Sequence, residues 1–153
     1  IRQVYKSVEW PVIVLLASII PLGGALESNG TTSLIVSELT DFCVGLEPWL
    51  IISLLMILTM TLSDMLNNTA TTIVIAPIGI KLAENLNMNS DTFLMAIAIA
   101  ASCAFLTPIG HKNNTIILGP GGYSFADYWR VGLPLECLIL AVSVPTLLFF
   151  WPL

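Results

Sequence analysis

Hydrophobic positions run along this chain in long blocks, and the polar residues that interrupt them predict its elements. From Pro48 to Ser63 no residue is charged, and from Met65 to Ile80 none is either. Between the two blocks stands Asp64, followed by Asn67, Asn68, Thr69, Thr71 and Thr72. Each apolar arm holds about 16 residues, which as a helix rising ~1.5 Å per residue reaches about 24 Å. A bilayer's hydrocarbon core is ~30 Å thick, so neither arm spans it with ease. The pattern predicts a re-entrant helical hairpin over 48–83, its polar tip deep in the membrane and sheltered by protein or water. One continuous transmembrane helix with a polar patch, or two ordinary spans joined by a tight turn, are the alternatives.

The other blocks follow the same logic. The stretch from Trp10 to Leu26, bracketed by Glu9 and Glu27, predicts a span at 10–26, with Pro21 and Gly23-Gly24 kinking its far end. Over 31–46, Ile35, Leu39, Phe42 and Leu46 share one helical face and Ser33, Ser37, Thr40 and Asp41 the other. That is an amphipathic helix, lying in the membrane interface or packed on protein. A second interrupted span is expected at 92–118. Its first part, rich in small residues such as Ala96, Ala98, Ala100 and Ala104, suits close helix packing. It breaks at Thr107 to Asn114 and resumes for Thr115 to Leu118. Phe125, Tyr128 and Trp129 read as an interfacial aromatic belt ahead of a last span at 131–151, which carries Glu136 in its first turns.

Composition fixes the class. Of 153 residues, 56% are hydrophobic and 10% charged, with a mean hydropathy of +0.91. A soluble domain is about a quarter charged, so this composition indicates an integral membrane protein, and the helical blocks above make an all-α, multi-pass one the expectation. A net charge of −5 argues against nucleic-acid binding. Cys43, Cys103 and Cys137 lie far apart and His111 is the single histidine, which gives neither a disulfide framework nor a zinc site. With no metal-ligand cluster and no nucleophile–base pair, neither an enzyme nor a resident cofactor is expected. If the first span leaves the cytoplasm, Arg2, Lys6 and Arg130 all fall on its side, as the positive-inside rule requires. A plasma (inner) membrane location is expected. The sequence begins at Ile1 without a signal peptide and reads as the C-terminal part of something longer.

A helix broken at membrane depth exposes unpaired N–H groups at one half-helix start and unpaired C=O groups at the other half-helix end. The N–H ends suit an anion, while carbonyls and side-chain amide oxygens suit a small hard cation. Asn67, Asn68 and Thr69 at one break, and Gly110, His111, Lys112 and Asn114 at the other, supply such groups. Any one of these Asn residues could serve only capping or interhelical bonding; two amide-rich breaks in consecutive segments favour a transport site. His111 reads equally as a proton relay or a satisfied buried histidine, and Asp64 as a proton-coupling carboxylate or a partner for nearby backbone N–H groups. Lys112, in the second break, either snorkels to the surface or meets an anion or replaces a coupling cation.

At these residues the sequence resembles the divalent anion:sodium symporter family, part of the ion transporter superfamily of citrate, dicarboxylate, sulfate and arsenite carriers. Asn67-Asn68-Thr69-Ala70-Thr71 is similar to the family's Ser-Asn-Thr hairpin signature, with Asn67 in place of Ser. Phe105-Leu106-Thr107-Pro108-Ile109-Gly110 followed by Asn114 resembles its discontinuous-helix motif. Gly119-Pro120-Gly121-Gly122-Tyr123 and Arg130-Val131-Gly132-Leu133-Pro134 extend the match. Where the dicarboxylate carriers have Thr-Pro-Pro-Asn, this chain has His111-Lys112-Asn113-Asn114. The resemblance implies a fold of two inverted repeats, this chain holding most of the second, and a homodimer when full-length. It implies a sodium site at Ser63, Leu66, Asn68 and Gly110, and substrate contacts at Asn68, Thr69 and His111-Lys112. The expected function is secondary active transport of a small anion (a di- or tricarboxylate, sulfate or similar oxyanion), coupled to sodium or protons by alternating access. The expected partners are that anion, the N-terminal half and membrane lipid. An ion channel built from re-entrant half-helices is the alternative.

Overall fold

The computed structural model describes residues 28–153 and, before them, positions 13, 14, 17, 18, 21 and 25, all helical. The expected span at 10–26, apart from those positions, and the charges at Arg2 and Lys6 lie outside the described residues. Six helices follow: α1 Thr31–Cys43, α2 Pro48–Met65, α3 Asn68–Asn85, α4 Ser90–Ala101, α5 Lys112–Leu118 and α6 Phe125–Phe150.

Helix α2 begins at Pro48, whose missing N–H costs nothing in a first turn. Its ladder ends when the Leu66 N–H donates to the Leu62 carbonyl at 2.9 Å. Asn67 is extended, and its Oδ1 accepts the Ala70 N–H at 2.8 Å, capping α3. The chain then reverses. Asn85, at the far end of α3, donates from Nδ2 to Thr40 Oγ1 at 3.3 Å. Thr40 lies only eight residues before Pro48, a reach of at most about 28 Å, whereas α2 and α3 laid end to end would extend about 54 Å. Leu82 likewise lines one cavity with Ile51 and Leu55. The two helices form an antiparallel hairpin. Each arm is 18 residues, not 16, because Asp64 remains helical and α3 runs on through Lys81.

Helix α4 is the centre. It packs on α2, α3 and α6, burying Phe93, Ala96, Ile97 and Ala100. In lipid no hydrophobic drive separates helix from tail, so close contact through alanines supplies the dispersion energy that holds the bundle. Helix α6 runs antiparallel to α4. Thr92 Oγ1 donates to the Trp151 carbonyl at 2.9 Å and Asn89 Nδ2 to the Pro152 carbonyl at 3.2 Å, while Glu136 meets Phe105 at the other end.

Three expectations need correction. The amphipathic helix ends at Cys43 rather than 46, and it buries Thr32, Val36 and Cys43 while Ile35 and Phe42 stay exposed. Its inner face is set by packing on α3, not by where its largest apolar residues fall. The broken span stops at Ala101 rather than Leu106, and Lys112, Asn113 and Asn114 belong to its second half-helix instead of the break. The last span starts at Phe125, not 131, because Ser124 and Asp127 form a capping box that starts the helix inside the aromatic belt.

Among the described residues, α2 and α6 are long and apolar enough to cross a membrane. Large apolar side chains such as Leu138, Val142, Phe149 and Phe150 stand exposed along α6. In water such a surface would be a liability; in lipid it is the expected solvent-facing side.

Candidate functional site

The two helix breaks touch. Thr107 Oγ1 donates to the Asp64 carbonyl at 2.7 Å, and the Leu106 N–H donates to Asp64 Oδ1 at 3.0 Å. Gly110 lies so close that a Cβ there would stand 3.0 Å from both the Ser63 carbonyl oxygen and the Asp64 Cα. A side chain at 110 would push the breaks apart, which is the physical reason for glycine at this position.

Ser63 is fully buried, and its Oγ donates to the Ala101 carbonyl at 2.6 Å. The Asn68 Oδ1 position is 3.1 Å from the same Oγ. A hydroxyl has one proton, so Asn68 bonds to it only by turning its NH2 toward Ser63, unless a cation sits between two oxygens. Two buried polar atoms beside the breaks, Asp64 Oδ2 and Thr71 Oγ1, have no hydrogen-bond partner.

The second break is ten residues long, 102–111, and is held from outside. Asn114 Nδ2 donates to the Ala104 and Thr107 carbonyls at 2.9 and 3.2 Å, and Thr115 Oγ1 to the Pro108 carbonyl at 2.6 Å. One face of α6 grips this segment and the half-helix after it with residues four apart. Tyr128 OH donates to the Asn114 carbonyl at 2.7 Å, Gly132 lies against the Phe105 peptide, and Glu136 Oε1 accepts the Phe105 N–H at 3.4 Å. The buried Asp64 and Glu136 carboxyls stand side by side.

Of the residues singled out in the sequence, Ser63, Asp64, Asn68 and Gly110 are brought together at this junction, with Asn114 bracing the second break. Asn67 caps α3 and is exposed, as are Leu66, Thr69 and Lys112. His111 caps α5, its Nδ1 accepting the Asn113 N–H at 3.2 Å. Sequence reasoning missed Tyr128, Gly132 and the partner of Glu136. An acid alone in an apolar helix was the available signal for Glu136. A cavity of about 270 Å³ lies on the α5–α6 side, lined mainly by Phe105, Ile117, Tyr123, Val131 and Leu135; this apolar wall does not suit an anion.

An apolar helical bundle in which two interrupted helices meet at their polar breaks is the build of a membrane transporter. The family model described as the sodium:sulfate symporter transmembrane region matches residues 3–153, and the chain belongs to that family. It is similar to an uncharacterized transporter of Synechocystis sp., 39% identical over 145 residues, covering 95% of this chain and 24% of that protein. It is 36% identical over 151 residues to the uncharacterized transporter YfbS of Escherichia coli, covering 99% of this chain and 25% of that protein. It is also 27% identical over 150 residues to a sodium-dependent dicarboxylate transporter of Staphylococcus saprophyticus, covering 98% of this chain and 29% of that protein. The chain spans about a quarter of the length of the curated relatives it matches.

Proposed function

We propose that this chain forms the second inverted repeat of a secondary active transporter that moves a small dianion or similar oxyanion by alternating access, coupled to a cation. The contact between the two breaks carries the reading: Thr107 Oγ1 bonds the Asp64 carbonyl at 2.7 Å while Gly110 lies against Ser63. In it the hairpin is re-entrant, and Ser63, Leu66, Asn68 and Gly110 surround a sodium ion. The doubled oxygen contact at Ser63 Oγ supports that placement. Asn67, Asn68, Thr69, His111, Lys112 and Asn114 face or support the anion; the exposed start of α3, and the positive charge that Lys112 places at the start of α5, support this. Relatives named as sodium-dependent dicarboxylate transporters support the substrate class.

The test is uptake of labelled sulfate and succinate by the full-length protein in liposomes. Accumulation above the outside concentration, saturable and dependent on a sodium or proton gradient, is expected. Passive flux with no accumulation would make the protein a channel.

A further inference from the structure

Asp64 and Glu136 come from different helices and meet behind the second break. Asp64 is 3% exposed and Glu136 8%. Each holds one of two successive backbone N–H groups: Leu106 donates to Asp64 Oδ1 at 3.0 Å and Phe105 to Glu136 Oε1 at 3.4 Å. The second oxygen of Asp64 is buried with no donor. Among the described residues, the titratable group that acts on Glu136 is Asp64 from α2, and Glu136 in turn acts on the Cys103 thiol just past α4. Two facing carboxylates in a dry site repel, and the pair is relieved when one of them holds a proton. A protonated Glu136 would give Asp64 Oδ2 its missing donor while Oε1 keeps the Phe105 bond. Nothing in the sodium arrangement at Ser63 and Asn68 uses Glu136.

We propose that Glu136 carries a proton of the transport cycle, donating it in a hydrogen bond to Asp64 while the breaks are closed on α6 and releasing it to water when they part. The inference rests on the alternating-access reading above. It makes the grip of α6 on the second break depend on protonation, so the proton and the gating element share one contact.

The test uses the full-length protein and two readouts. Infrared pH titration without substrate should find a protonated-carboxyl C=O band in the wild type that Glu136→Gln removes. In liposomes, uptake of sulfate or succinate by the wild type should respond to an inward proton gradient. The Glu136→Gln variant should lose that response and fall at least about tenfold in gradient-driven accumulation. Gln keeps the size, accepts from Phe105 and donates to Asp64, so a merely structural role for Glu136 would leave the gradient response intact. Should Gln fail to give a monodisperse protein, Glu136→Asp must shift the same band, and an unshifted band overturns the inference. A band indifferent to Glu136→Gln, or a variant with the wild-type gradient response, overturns it as well. Absence of uptake of either anion by the wild type counts against the transporter reading alone, because the infrared titration still decides Glu136.

Discussion

The two helix breaks solve one problem in opposite ways. The first spans only Leu66 and Asn67, and its groups are satisfied locally: Leu62 accepts from Leu66, and Asn67 caps the next helix from one position before it. The second leaves ten residues outside any helix, and its backbone is held by Asp64 from α2, by Glu136 from α6, and by Asn114 from α5. A break satisfied locally can move as a rigid tip. A break satisfied by its neighbours moves only when they do. In the alternating-access cycle proposed above, the second break is therefore where motion of α6 and of the hairpin would be read out.

The largest expected effect comes from wedging that contact. Gly132→Val places a branched side chain against the Phe105 peptide, where even a Cβ has no room. Backbone cannot yield as a flexible side chain does, so the cost should exceed the ~1–3 kcal/mol of ordinary overpacking. Thermal unfolding of the full-length protein in detergent should shift down clearly and uptake should vanish. A Gly132→Val protein with wild-type melting and transport would show that α6 does not grip the second break.

Next comes Asn68, the residue of the hairpin that turns toward the junction. Asn68→Ala removes an amide at 3.1 Å from Ser63 Oγ, a loss of about 1–3 kcal/mol. Uptake should fall about tenfold or more, with a weaker response to sodium. Uptake equal to wild type would make the tip purely structural.

The asymmetry also explains what was legible in the sequence. The first break was visible because Asp64, Asn67, Asn68 and Thr69 interrupt apolar blocks and act on residues within one turn of themselves. The second was placed too late in the chain. Phe105 and Leu106 look helical, and nothing nearby in sequence says that their N–H groups are taken by carboxylates from α6 and α2. Glu136 was visible as a lone acid but its partner was not, since no periodicity links α6 to the hairpin. The face of α1 was misjudged for a related reason: Ile35 and Phe42 can face lipid in a membrane protein, so apolar character alone does not mark the inside.

A smaller effect is expected at the first break itself. Asn67→Ala deletes the cap on Ala70, worth about 1 kcal/mol, whereas Asn67→Asp keeps an acceptor there. The Ala variant should lower the melting temperature slightly and the Asp variant should restore it. If Asp does not restore it, Asn67 serves something other than the cap.

The smallest shift in stability, and the most pointed in function, is expected at Lys112. It stands exposed at the first position of α5, where the positive end of the helix dipole disfavours a cation. Removing that charge should leave folding unchanged or improve it by a few tenths of a kcal/mol. The anion proposed for this site is the natural partner of that charge. Lys112→Gln in the full-length protein should therefore raise the KM for sulfate or succinate several-fold, with Vmax nearly unchanged and melting no lower than wild type. The rise should shrink as ionic strength increases, because screening weakens an exposed charge in the wild type and has nothing to weaken in the variant. An unaltered KM at low salt would place the ammonium at the membrane surface, and the second break would then recognise its anion by backbone N–H groups alone.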